Sequence, residues 1–125
     1  MKEKVLLVED EDMLAQVLSI KLEREGFTVF RAKDGEEGFE VATREHPDVI
    51  LLDIIMPKMD GLTMLSRLRK DGGEWGKSAK VMMLTNLSDG DSVMKSLNEA
   101  AFDYLVKSDW KLEDIVERIR ERLTS

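Results

Sequence analysis

The sequence predicts an α/β fold, a doubly wound parallel sheet of five strands with helices on both faces. Three observations carry this prediction. Short apolar runs alternate strictly with segments of helical periodicity along the whole chain, and strands alternating with helices build parallel sheets through crossovers. The apolar runs are continuous, as in Val5-Leu6-Leu7-Val8 and Val49-Ile50-Leu51-Leu52, which suits strands buried on both faces. The chain has 125 residues without linker, repeat or low-complexity stretch, enough for a single domain with a real core over residues 1–125.

The elements follow in order. Val5 to Val8 is the first strand. Leu14, Val17, Leu18 and Leu22 recur at helical spacing, and Gly26 stops that helix. Phe27 to Phe30 is the second strand. Asp34 followed by Glu37 forms a capping pair for a helix running to about Glu45. Val49 to Leu52 is the third strand, and Leu62, Leu65 and Leu68 mark the third helix. Gly72, Gly73 and Gly76 predict a loop. Val81 to Leu84 is the fourth strand, and Val93, Leu97 and Ala100 give the fourth helix. Tyr104-Leu105-Val106 is a short fifth strand. Leu112, Ile115, Val116, Ile119 and Leu123 form the stripe of a last helix.

Composition excludes several functions. With no cysteine, neither a disulfide framework nor a thiolate site is possible. A formal net charge of −7 repels a phosphate backbone, so direct nucleic-acid binding is not expected. No apolar stretch approaches the roughly 20 residues of a membrane span, and the N-terminus lacks the pattern of a signal peptide. A cytoplasmic protein is the expectation.

The chemistry concentrates at strand ends. In open α/β sheets, ligands sit outside the carboxyl ends of the strands where strand order reverses. Glu9, Asp10, Glu11 and Asp12 follow the first strand, and Asp53 follows the third. In a flavodoxin-like order, 2-1-3-4-5, strands one and three are neighbours and these acids converge. Carboxylates held close repel one another, and a hard divalent cation relieves this, Mg²⁺ where phosphate is involved. Alone, the acidic run would be read as a solvated helix start favoured by the macrodipole. Asp53 is different, because an unpaired charge at the edge of a buried strand is costly. Lys107 follows the fifth strand and Thr85 the fourth. Carboxylates, a hydroxyl and an ammonium at one rim suit phosphoryl transfer onto a carboxylate.

These residues carry a resemblance to the receiver domains of two-component response regulators, from Lys4 to about Leu123. The motifs are Val5-Leu6-Leu7-Val8-Glu9-Asp10-Glu11, Leu51-Leu52-Asp53-Ile54-Ile55-Met56-Pro57-Lys58-Met59-Asp60-Gly61, Leu84-Thr85 and Asp103-Tyr104-Leu105-Val106-Lys107. The resemblance implies phosphorelay signalling, with Asp53 as phosphoacceptor from a sensor histidine kinase or phosphotransfer protein. It implies Mg²⁺ held by Glu9, Asp10, Asp53 and the backbone carbonyl of Ile55. Lys107 would pair with the phosphoryl group. Thr85 would move toward it and leave space for Tyr104 to turn inward, altering the face of the fourth helix, fifth strand and last helix where a protein target binds. Such a domain is not an enzyme with a separate substrate, though it assists its own phosphotransfer and dephosphorylation. It would be a monomer or a phosphorylation-dependent dimer.

The chain departs from the family pattern at Asn86, at Ala101-Phe102, at Ser108 where proline is usual, and in a longer connection from Asp71 to Lys77. Ser108, with Asp109 as competitor, is a candidate cap for the last helix. Ile55 and Leu87 flank the expected site, and neither can orient an attacking water, so a long-lived phosphoryl-aspartate is expected. Two alternatives stay open: a pseudo-receiver that binds partners without phosphorylation, and a Mg²⁺-dependent aspartyl phosphohydrolase built on Asp10-Glu11-Asp12. A flavin carrier is discarded, because the acids after strand one would repel its phosphate. His46 is expected on the surface, Trp75 and Trp110 in packing roles, and Arg118, Arg120 and Arg122 on a solvated helix face.

Overall fold

A computed structural model of the chain describes residues 2–54, 56–85, 103–106 and 111–124, with residues 85 and 103–106 described by backbone only. The sheet has five strands in the order β2-β1-β3-β4-β5: β1 (Lys4–Val8), β2 (Thr28–Ala32), β3 (Val49–Asp53), β4 (Val81–Thr85) and β5 (Asp103–Val106). Every pairing is parallel. The helices are α1 (Asp12–Arg24), α2 (Gly35–Glu45), α3 (Gly61–Asp71), α4 (Gly73–Ser78) and α5 (Leu112–Leu123). The predicted fourth helix, around Val93 to Ala100, lies outside the described residues.

The continuous apolar runs divide by parity, as side chains alternate along a strand. Leu6, Val8, Ile50, Leu52, Val81 and Met83 face one core with Val41, Met64, Leu65 and Leu68 from α2 and α3. Val5, Leu7, Val49, Leu51, Met82 and Leu84 face the other, against Ala15, Leu18 and Leu22 of α1 and Ile115, Val116 and Ile119 of α5. The central strands β1, β3 and β4 thus bury apolar residues toward both faces, which is why no alternation shows in their runs.

Three expectations are corrected. Val17 is not on the buried stripe of α1: it is 44 % exposed, with Met13 at 77 % and Ile20 at 44 %, whereas Ala15 is buried. The segment after α3 is helix α4, not loop. Trp75 packs against the first core, and the His46 ring stacks on it with centroids 4.4 Å apart. A Cβ at Gly76 would stand 2.3 Å from the Leu68 carbonyl oxygen, so only glycine lets α4 fold back so closely on α3. The Arg69 guanidinium donates to the carbonyls of Gly76 (2.7 Å) and Ala79 (2.9 Å), a cation at the helix C-terminus where the dipole favours it. Burial pushes the Arg69 pKa down from its ordinary value. Finally, the N-cap of α5 is Lys111, not Ser108 or Asp109, which lie outside the described residues. The Asp114 carboxylate reaches back to accept from the Lys111 amide at 3.2 Å, so the helix starts later than the serine.

The arginines of α5 are less free than expected. Arg120 donates to the Glu25 carbonyl and carboxylate at 2.9 and 3.2 Å, tying α5 to the end of α1. Arg120, then Lys21, holds the Glu25 carboxyl below the usual carboxylate range.

The predicted cap of α2 is present: Asp34 accepts from the Glu37 amide at 2.9 Å. An N-cap carboxylate satisfies a helix donor that has no intrahelical partner, and its loss costs about 1 kcal/mol. Asp34→Ala is therefore expected to lower the melting temperature by about 4 °C, whereas Asp34→Asn, which keeps an acceptor, stays near wild type. Thermal unfolding followed by circular dichroism checks this. Equal melting of the alanine variant and wild type would refute it.

Candidate metal and phosphoacceptor site

The site begins where β1 and β3 end side by side. Their register pairs Val8 with Leu52, so the next residues, Glu9 and Asp53, emerge together at the carboxyl rim. Glu9 is fully buried and Asp53 is 5 % exposed, whereas Asp10 is exposed. One carboxylate oxygen from each of Glu9, Asp10 and Asp53 lies within 4.8 Å of the others. Three oxygen donors, two sunk in the protein and one at its mouth, make a donor set for a hard divalent cation with room for water or phosphate oxygens. The residues present therefore fit Mg²⁺.

The acidic run is divided by the backbone. Helix α1 starts at Asp12, with Glu11 as its N-cap, so only these two belong to a helix start. Glu9 is fixed by its own amide, which donates to the Ala32 carbonyl at 3.0 Å.

The segment after β3 is pinned by backbone hydrogen bonds. The Gly61 amide donates to the Ile54 carbonyl at 2.7 Å, and the Gly35 amide to the Met59 carbonyl at 3.0 Å. Asp60 caps α3 by accepting from the Thr63 amide at 2.8 Å. Lys58 takes a left-handed conformation, φ 63°, and its ammonium stands 3.8 Å from the Asp34 carboxylate. The run Met56 to Gly61 thus turns the chain from β3 into α3 while clamping the N-terminus of α2.

Thr85 is the last residue of β4, in register with Val106, and Tyr104 lies on β5 opposite Met83. Their backbones are on the expected strands, and their side chains lie outside the described residues. So do Ile55, Asn86, Leu87, Ala101, Phe102, Lys107 and Trp110. The sequence reading missed one residue beside the site. Arg31, on β2, donates from Nε and Nη2 to the Glu9 carbonyl at 3.1 and 2.8 Å, and its Nη1 lies 2.9 Å from the Asp12 carboxylate. A signal was available: in the order 2-1-3, a cation at the end of strand two stands next to the acids that follow strand one.

Comparison with known proteins agrees with this geometry. Residues 5–120 match the family model described as the response regulator receiver domain. The chain is 35 % identical over 120 residues to the DNA-binding dual master transcriptional regulator RpaA of Synechocystis, covering 96 % of this chain and 48 % of that protein. It spans about half the length of the curated relatives it matches. Among solved structures, the Vibrio cholerae chemotaxis protein CheY4 superposes with a TM-score of 0.87 at 27 % identity, covering 97 % of this chain and 98 % of that one. The receiver domain of the Pseudomonas aeruginosa sensor histidine kinase PA1611, which has a magnesium ion coordinated in its active-site cleft, gives 0.88 at 26 % identity and covers each chain completely.

Proposed function

The chain belongs to the response regulator receiver domain family, and from that premise we propose that it is a phosphoacceptor switch, phosphorylated on Asp53 with Mg²⁺. The observation that carries this is the approach of Glu9, Asp10 and Asp53 within 4.8 Å at the carboxyl rim of the sheet. The magnesium ion in the cleft of the Pseudomonas receiver domain supports the same ion here. When bound, Mg²⁺ would offset charge on the phosphoryl group being transferred.

The protein's part in the reaction is positional. A carboxylate oxygen of Asp53 forms the new O–P bond as the bond from phosphorus to the donor breaks, and an acyl phosphate results. Burial and the Gly61–Ile54 hydrogen bond hold that carboxylate at the rim. With Asp53, Glu9 and Asp10 would hold the metal through their carboxylates, and the Ile55 carbonyl would join them, as the family resemblance implies. Lys107 pairs with the phosphoryl oxygens. Thr85 and Tyr104 relay the change to the face that meets a target. A sensor histidine kinase or phosphotransfer protein supplies the phosphoryl group.

No described helix is long and apolar enough to cross a membrane; the cytoplasmic location proposed rests on membership of the receiver family. RpaA is named as DNA-binding, but this chain matches only 48 % of it. The net charge of −7 argues against this segment holding a nucleic-acid backbone itself.

Incubation with acetyl phosphate and Mg²⁺, followed by intact mass, tests the proposal. One added phosphoryl group is expected. Chelating the metal before the reaction is expected to slow incorporation at least about a hundredfold, the loss of one major charge-stabilising contact. Incorporation at the same rate without metal would refute the Mg²⁺ assignment.

A further inference from the structure

Resting on that metal-dependent reading, we infer that Arg31 is a positioning residue for the metal site: its guanidinium fork fixes the loop that presents Asp10. One side chain spans the loop. Nε and Nη2 grip the carbonyl of Glu9, and Nη1 grips the carboxylate of Asp12. Asp10 lies between these two anchors, exposed, and has no burial of its own to hold it.

The loop needs such a brace. Glu9, Asp10, Glu11 and Asp12 are four consecutive acids, and Asp10 also faces the buried Asp53. Without a restraint, repulsion favours conformations in which the exposed Asp10 swings away. Arg31 is placed to resist this because β2 is itself fixed. Arg31 is in register with Leu7 on β1, and its side chain is only 25 % exposed. A planar fork with fixed donors holds a carbonyl and a carboxylate together, which a single ammonium cannot do.

Arg31 acts in two opposed ways. As a cation near the site it disfavours a second cation, and as a brace it favours binding by pre-ordering a ligand. The Asp12 carboxylate at 2.9 Å offsets the charge, and because Asp12 itself is 80 % exposed, solvent and salt reach the pair and screen what charge remains. The brace therefore dominates. Groups that orient metal ligands typically contribute tenfold or more to metal affinity.

The test is Mg²⁺ binding by isothermal titration calorimetry on the folded protein, far below its melting temperature, at low and moderate salt. Arg31→Ala is expected to raise the dissociation constant about tenfold. Arg31→Lys, which keeps the charge and loses the fork, is expected to recover less than half of that loss on a logarithmic scale. In acetyl phosphate reactions, the half-saturating Mg²⁺ concentration should rise by the same factor while the rate at saturating Mg²⁺ stays within about twofold. A residue that served only folding would lower the melting temperature and leave the Mg²⁺ titration unchanged. That result would overturn the inference, as would tighter binding by Arg31→Ala or full rescue by lysine. If Arg31→Ala does not fold, Arg31→Gln and Arg31→Lys give the same comparison. Wild-type protein that binds no Mg²⁺ would instead overturn the metal reading itself, so the two failures are distinct.

Discussion

Asp53→Asn is expected to abolish phosphoryl incorporation, with intact mass showing one added group on wild type and none on the variant. The reasoning is chemical before it is structural. The reacting atom is a carboxylate oxygen, and an amide oxygen in its place carries neither the charge nor the nucleophilicity to form a stable acyl phosphate. Removing a nucleophile outright costs about a thousandfold or more, with little compensation from the surrounding groups. The substitution is nearly isosteric at a residue that is 5 % exposed, so the loss is not an effect of unfolding.

The same variant separates the readings that the sequence left open. A phosphohydrolase with Asp10 as its nucleophile would keep an intermediate in the Asp53 variant and lose it in Asp10→Asn. A pseudo-receiver would take no phosphoryl group even as wild type. The proposed switch takes one group as wild type, none as Asp53→Asn, and takes it more slowly as Asp10→Asn because a donor oxygen to the metal is lost. Wild-type incorporation by Asp53→Asn would sink the assignment of the phosphoacceptor.

The sheet was legible in the sequence because physics left little choice. Runs such as Val5 to Val8 and Val49 to Leu52 supply both cores at once, and only a strand covered on both faces uses every position this way. The acids were legible for the same reason, since topology alone puts residue 9 beside residue 53. What was hidden is what tertiary contact decides. Helix α1 carries two apolar stripes, one through Ala15, Leu18 and Leu22 and one through Met13, Val17 and Ile20. Both satisfy the helical period, and periodicity cannot say which one the sheet will cover. Helix α4 was hidden because three glycines argue for a loop by propensity. Trp75, His46 and Arg69 override that preference through contacts distant in sequence. Arg31 was hidden because a lone cation on an edge strand is ordinary until its neighbour strand is known.

Gly61→Ala is expected to destabilise the fold by about 2–3 kcal/mol, although alanine is otherwise the better helix former. Gly61 is the first residue of α3, and helix propensity alone would favour alanine by up to about 1 kcal/mol. The contact decides against it. A Cβ there would stand 2.2 Å from the Asp53 carbonyl oxygen, 2.9 Å from the Ile54 Cα and 3.0 Å from the Asp53 carbonyl carbon. All three are backbone atoms, so no flexible side chain can give way. The hydrogen bond from the Gly61 amide to the Ile54 carbonyl, 2.7 Å long, must stretch if the start of α3 moves away from the end of β3. Overpacking of this kind costs about 1–3 kcal/mol, and the weakened hydrogen bond adds about 1 kcal/mol. A melting temperature lower by about 10 °C is the expected reading for a chain of this size. Because the clash falls on the backbone of Asp53, phosphoryl incorporation should also slow at temperatures where the variant is fully folded. A small displacement of a reacting group is worth roughly a hundredfold in rate. An alanine variant as stable as wild type and phosphorylated as fast would show that the turn after β3 does not position Asp53.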